Sequence, residues 1–154
     1  MKAKTTISAF AALAACSLAA VTPSIDEAGN YTFEVDGTET YSGVIAGTDI
    51  TVTKLGDGEL TLTGANTFTG TLLVKAGTLV AAPSATAGSP ALVVEDRATF
   101  KSDGGGEQWG ANAIKLASIT ITGHGVNGQG AFVRASGTAC RSVGSREGLT
   151  PLVE

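Results

Sequence analysis

The chain has 154 residues, of which 43% are hydrophobic, 5% aromatic and 16% charged, with 21 glycines and a formal charge of −4. Such a length holds one domain with a modest core, and a charged fraction below the roughly 25% of ordinary globular domains argues against an organisation around long, charge-bearing helices. With no basic stripe to neutralise phosphates, nucleic acid is excluded as a partner, and docking on an anionic membrane face is disfavoured.

Lys2 and Lys4 precede an uncharged run, Thr5 to Ala15, that carries Ile7, Phe10 and Leu13. The run is shorter than the roughly 20 apolar residues a bilayer span requires. Ser17-Leu18-Ala19 then offers the small residues a signal peptidase needs, so residues 1–19 read as an export signal. Its removal leaves 8 basic groups against 14 acidic ones. Within it, Leu13-Ala14-Ala15-Cys16 resembles a bacterial lipobox, in which the Cys16 thiol would take a diacylglyceryl group. Cys140 is the other cysteine, so neither a disulfide framework nor a zinc site is expected. The single histidine, His124, is the sole partner a nucleophilic Cys140 could have, and the two read as unrelated surface residues.

Residues 20–49 read as an extended lead-in. Tyr31 to Val35 alternates as a strand should, and Asp36-Gly37 closes it as a turn. From residue 50 a paired period emerges. One series of strand starts runs Ile50, Leu72, Leu92, Ile114; a second runs Leu60, Leu79, Ala98, Ile119. The residue two positions on is apolar in each, which places both on one face. Short turns are expected at Gly56-Asp57-Gly58, Ala76-Gly77, Glu95-Asp96 and Ala117-Ser118. Longer returns are expected over 64–70, 82–90 and 102–112. β-Branched residues and glycine suit such strands and turns. One rung cannot bury its own Ile, Leu and Val, so rungs must stack, about 4.8 Å apart, to build a shared core. A β-sandwich is the competing architecture.

The stretch Lys54 to Gly70, KLGDGELTLTGANTFTG, follows the pattern K-x-G-x-G-x-L-x-L-x-G-x-N-x-Y/F-x-G, and Leu72 to Val80 completes it with G-x-L at Gly77 to Leu79. From Lys54 to Ala82 the chain resembles the passenger-associated strand repeat of autotransporters, departing from it at Leu72, where the family usually has Thr. Tyr41 to Gly47 looks like the tail of a preceding repeat, and Ile119 to Ala131 like a further rung.

The resemblance implies an all-β fold, a right-handed parallel β-helix of about five or six rungs over residues 50–136, with residues 137–154 as an irregular tail. It implies structural roles for Gly56, Gly58, Leu60, Leu62, Gly64, Asn66, Phe68, Gly70, Val74, Gly77 and Leu79: glycines at corners, leucines inward, Asn66 bonded to a turn backbone and Phe68 over the core edge. The expected function is a structural or adhesive surface segment, exported to the cell surface, outer membrane or medium, with no catalytic residue, metal or cofactor. Further repeats or a membrane-translocating barrel would be its partners, together with host or environmental polysaccharide or protein.

Two alternatives are a surface lipoprotein anchored through Cys16 and a polysaccharide-cleaving β-helix enzyme. For the latter, Asp57 and Asp96 sit in turns that could face one side, as two carboxyl groups in a groove must. Gly123 to Gly128 matches G-x-G-x-x-G, but Ser136-Gly137-Thr138 breaks the helix a dinucleotide site requires. Asp103 to Glu107 lacks the repetition of a calcium-binding nonapeptide, and Trp109 reads as a loop aromatic packed on its own solenoid.

Overall fold

A computed structural model describes residues 21–83, 85–103 and 114–134. Residues 1–20, with the expected export signal and Cys16, the stretch 104–113 with Trp109, and residues 135–154, with the expected irregular tail and Cys140, lie outside the described residues. Eleven strands and one short 3-10 turn make up the described chain: β1 (Ser24–Ile25), β2 (Tyr31–Glu34), β3 (Thr38–Tyr41), β4 (Ile50–Leu55), β5 (Glu59–Leu62), β6 (Gly70–Val74), β7 (Gly77–Ala81), β8 (Ala91–Val94), β9 (Ala98–Ser102), β10 (Ser118–Ile121) and β11 (Phe132–Arg134).

Two sheets result, in the orders β1-β2-β4-β6-β8-β10 and β11-β9-β7-β5-β3. Every pairing is parallel except β1 with β2, where a short antiparallel segment covers the first rung. A sandwich of antiparallel hairpins is thereby ruled out: Leu60 and Leu79 are neighbours within one sheet. The chain winds, placing each strand beside the strand one turn earlier.

Successive turns bury one another through four inward columns. In the first sheet these are Tyr31-Val52-Leu72-Leu92-Ile119 and Phe33-Lys54-Val74-Val94-Ile121. In the second they are Glu39-Leu60-Leu79-Phe100-Phe132 and Tyr41-Leu62-Ala81-Ser102. Leu60, Leu62, Leu72, Val74, Leu79, Leu92 and Phe100 are all fully buried. The return connections form a third side, stacked by the Thr67 amide on Ile45 O, the Thr69 amide on Gly47 O and the Gly88 amide on Asn66 O. Ile45, Phe68 and Ala85 close the core there.

The structure corrects three expectations. The solenoid has about three turns, fewer than five or six rungs: the coils 31–49, 50–69 and 70–90 each carry both strands and a return among the described residues, bar residue 84. The register differs by two at Ile50 and Ala98, since Val52, not Ile50, pairs with Leu72, and Phe100, not Ala98, pairs with Leu79. A slip of two residues keeps every side chain on its face, so alternation alone does not detect it. Finally, Ile119 belongs to the first sheet, opposite Leu92. Ile114 and Leu116 form no strand, and no turn divides the chain at Ala117-Ser118, where β10 begins.

Candidate functional site

Three buried polar devices and one surface groove stand out, and the first device is Lys54. Strand alternation points its side chain inward between Phe33 and Val74, where it is 1% exposed. Its ammonium reaches the corner and donates to the carbonyls of Leu55 (2.8 Å), Gly56 (2.6 Å) and Ala76 (3.2 Å). All three of its protons are thereby used. Burial pulls its pKa below 10.5, and the nearby carboxylates of Asp57 and Asp36 oppose that pull. Sequence reasoning kept Lys54 within the motif without assigning it a role. Its signal was a lysine in phase with inward Ile50 and Val52.

The second device is Asn66, fully buried on the third side of the coil. Its Oδ1 accepts from the Ile45 amide of the previous turn (2.8 Å), and its Nδ2 donates to Ala85 O of the next (2.9 Å). One side chain thus ties three turns together, and no buried polar side-chain atom among the described residues lacks a partner. Thr99, 3% exposed, is the third device. Its hydroxyl donates to Gly130 O (3.1 Å) and accepts from the Val126 amide (2.9 Å), pinning the 3-10 turn Val126–Gly128 to the solenoid. Phe132 stacking on Phe100, with ring centres 5.4 Å apart, fixes the far end of that loop.

The other motif positions lie in the core or against the preceding turn. Leu60, Leu62, Phe68, Val74 and Leu79 are fully buried. Gly56, Gly58, Gly64 and Gly70 lie where a Cβ would meet backbone of the preceding turn. Gly77 combines that close approach, against the carbonyls of Gly56 and Gly58, with φ +64°.

The groove arises from unequal corners. Lys54 to Glu59 and Val94 to Thr99 span five residue steps, but Val74 to Thr78 spans four between the same paired positions. The shorter corner recedes, leaving a notch with buried Gly77 as floor. Asp57 stands on one side of it, Asp96 and Arg97 on the other, and the Thr99-pinned loop adds His124 and Asn127; the space is about 690 Å³. Sequence analysis considered Asp57 with Asp96, and the structure does bring both to one groove. Arg97, which sequence analysis grouped with Asp96, and Asn127, which it met only inside the Gly123 to Gly128 motif, join them, both held at positive φ (64° and 51°). Among the described residues, no group of three or more His, Cys, Asp and Glu side chains is arranged to hold a metal ion.

Residues 52–81 match the passenger-associated-transport-repeat family. The chain is also 40% identical, over 89 residues, to an adhesin autotransporter, BmaC, of Brucella suis biovar 1 (strain 1330). Residues 52–81 form a passenger-associated transport repeat. The passenger repeat covers the corner of Lys54, the Asn66 bridge and the Gly77 floor, so the devices described above lie within or directly beside it. The matched region is 56% of this chain and 2% of the relative, so the chain spans a small part of that adhesin's length. No solved structure matches the chain.

Proposed function

We propose that the chain is a structural or adhesive passenger segment, exported and displayed at the bacterial surface as part of an autotransporter-type protein. The observation that carries this reading is the passenger repeat at 52–81, set in a solenoid whose polar core groups are spent on holding its turns in register. Similarity to an adhesin supports the adhesive half of it. Right-handed winding is inferred with it, since parallel crossover connections take that hand in about 98% of cases.

A non-enzymatic role is part of the proposal. Asp57, Asp96 and His124 are all exposed. None of these side chains hydrogen-bonds another described residue, so no oriented acid–base pair supports an enzymatic reading. Further repeats or a translocating barrel are the partners this reading requires, with host or environmental polysaccharide or protein as the adhesion target.

Displaying the chain on a non-adherent Gram-negative strain, fused to a heterologous autotransporter barrel, tests it. Protease-sensitive surface exposure together with increased adherence to polysaccharide-coated or cell-coated surfaces is expected. Retention in the periplasm, or release of reducing ends from polysaccharide by the purified chain, would overturn it.

A further inference from the structure

We propose that the notch over Gly77 is a binding subsite for a neutral, hydroxyl-rich sugar unit of a glycan. The inference rests on the adhesive reading and gives it a location. The concavity is produced by the chain's own architecture. A corner one residue shorter than those on either side recedes, and the Thr99-pinned loop builds up the far wall.

Around that floor stand Asp57, Asp96, Arg97, His124 and Asn127. None of their side chains makes a hydrogen bond or ion pair with another described residue. Among the described residues nothing occupies their donors and acceptors, in contrast to Lys54 and Thr99 nearby, whose polar atoms are bonded to backbone groups. Two of the five, Arg97 and Asn127, occupy left-handed backbone that glycine would adopt more cheaply. At these positions the chain keeps a polar side chain facing the groove at a conformational cost.

The chemistry of the lining selects the ligand class. Carboxylates only accept, guanidinium only donates, and the Asn127 amide does both. A vicinal diol, in which each hydroxyl donates and accepts, matches that alternation. Two carboxylates against one guanidinium disfavour an anionic sugar. A peptide fits less well: at the strand starts beside the notch the Thr78 amide is committed to Gly58 O and the Ala98 amide to Glu95 O, so neither is open for augmentation. Nor does the groove lining contain an aromatic or large aliphatic pocket for a side-chain anchor. Three rung steps of about 4.8 Å give a groove roughly 14 Å long, suited to a short oligosaccharide. Exposed polar contacts of this kind give affinities on the order of millimolar per site, a strength that repetition on a displayed surface multiplies.

Titration of the purified, 15N-labelled chain with maltose, cellobiose and mannobiose, and with digalacturonate as the anionic control, tests the proposal by amide chemical shifts. At least one neutral disaccharide should give saturable shifts at Gly77, Asp96, Arg97 and Asn127. Arg97→Ala should weaken that association about tenfold, the loss expected for a hydrogen bond from a charged group. Inserting one glycine between Ala76 and Gly77, which restores the corner to its neighbours' length, should abolish it while the chain keeps its β circular dichroism. Should that insertion unfold the chain, Arg97→Ala still decides. Absence of saturable shifts with all neutral sugars, stronger shifts with digalacturonate, or an unchanged affinity in Arg97→Ala would overturn the subsite. Adherence of displayed cells combined with silent titrations would reject the subsite and leave the adhesive reading intact. Saturable shifts at these four amides without cell adherence would do the reverse.

Discussion

The Lys54 ammonium donates to the carbonyl oxygen of Ala76, one turn further along the coil, at 3.2 Å. With Leu55 O and Gly56 O it completes a cage of three carbonyls at the corner. Lys54→Met keeps the aliphatic stem and removes the cage's centre. Leu55 O would keep the Val35 amide, whereas Gly56 O and Ala76 O would lose a charged donor. A loss of about 2–3 kcal/mol is expected by urea denaturation. An unchanged midpoint would show that the ammonium contributes nothing net to the corner.

The same lysine gives a pH dependence with a definite sign. Burial lowers its pKa in the folded chain relative to 10.5. Between the lowered value and 10.5 the unfolded chain therefore holds more protons, and stability rises with pH in that window. The stability gap between the wild type and Lys54→Met should widen as pH is raised from neutral toward 10.5. Paired denaturation curves at neutral and alkaline pH measure it, and a gap that narrows would contradict the assignment.

Asn66 offers a test of the bridge across three turns. Asn66→Ala leaves the Ile45 amide and Ala85 O unpaired in the core, a cost of about 2–4 kcal/mol. Asn66→Asp can still accept from Ile45, but at neutral pH it turns a buried carboxylate toward the Ala85 carbonyl. It should therefore be the less stable of the two. On acidification the aspartyl group gains a donor and part of the loss should return, in contrast to Asn66→Ala. Equal stability of both variants at neutral pH would refute the donor role of Nδ2.

What the residue order makes legible is faces rather than registers. Leu60, Leu62, Leu79 and Val74 lie inward because period-two alternation leaves them nowhere else. The pairing of Val52 rather than Ile50 with Leu72 is invisible to that logic, because both lie on the same face. Ile119 looked like a strand of the second sheet because earlier returns were shorter than the stretch between Ser102 and Ser118. Once the return lengthens, spacing no longer identifies the sheet. The groove was legible only in part. Asp57 and Asp96 could be placed on one side by counting turns, but the notch depends on a single missing residue between Val74 and Thr78. That deficit appears only when strands are paired residue by residue. Arg97 carries no motif and its residue type does not announce positive φ, whereas Asn127 lies in a glycine-rich stretch that pointed to a different chemistry.

Gly77 and Arg97 make a matched pair of backbone tests. Gly77 has φ +64° and a Cβ there would fall on the Gly56 and Gly58 carbonyls, so Gly77→Ala meets both strain and overlap. A loss of about 2 kcal/mol or more is expected. Arg97, also at φ +64°, lies exposed on a corner. Arg97→Asn should be as stable as the wild type or up to about 1 kcal/mol more stable, because asparagine tolerates this region better. Thermal melts distinguish them, and a large loss in Arg97→Asn would mean that the guanidinium holds the corner.

The stacking of turns itself is tested by position within a column. Leu79 is fully buried between Leu60 and Phe100, with a turn on either side. Ile119 pairs, among the described residues, with Leu92 alone and is 50% exposed. Leu79→Ala opens a cavity whose walls are two other turns and should cost about 3 kcal/mol. Ile119→Ala removes fewer contacts and should cost about 1 kcal/mol or less. Because neighbouring turns share this core, loss at Leu79 should also raise hydrogen exchange at the Leu60 and Phe100 amides, one turn to each side. Exchange confined to the Leu79 strand, with its neighbours unaffected, would mean that the turns do not stabilise one another.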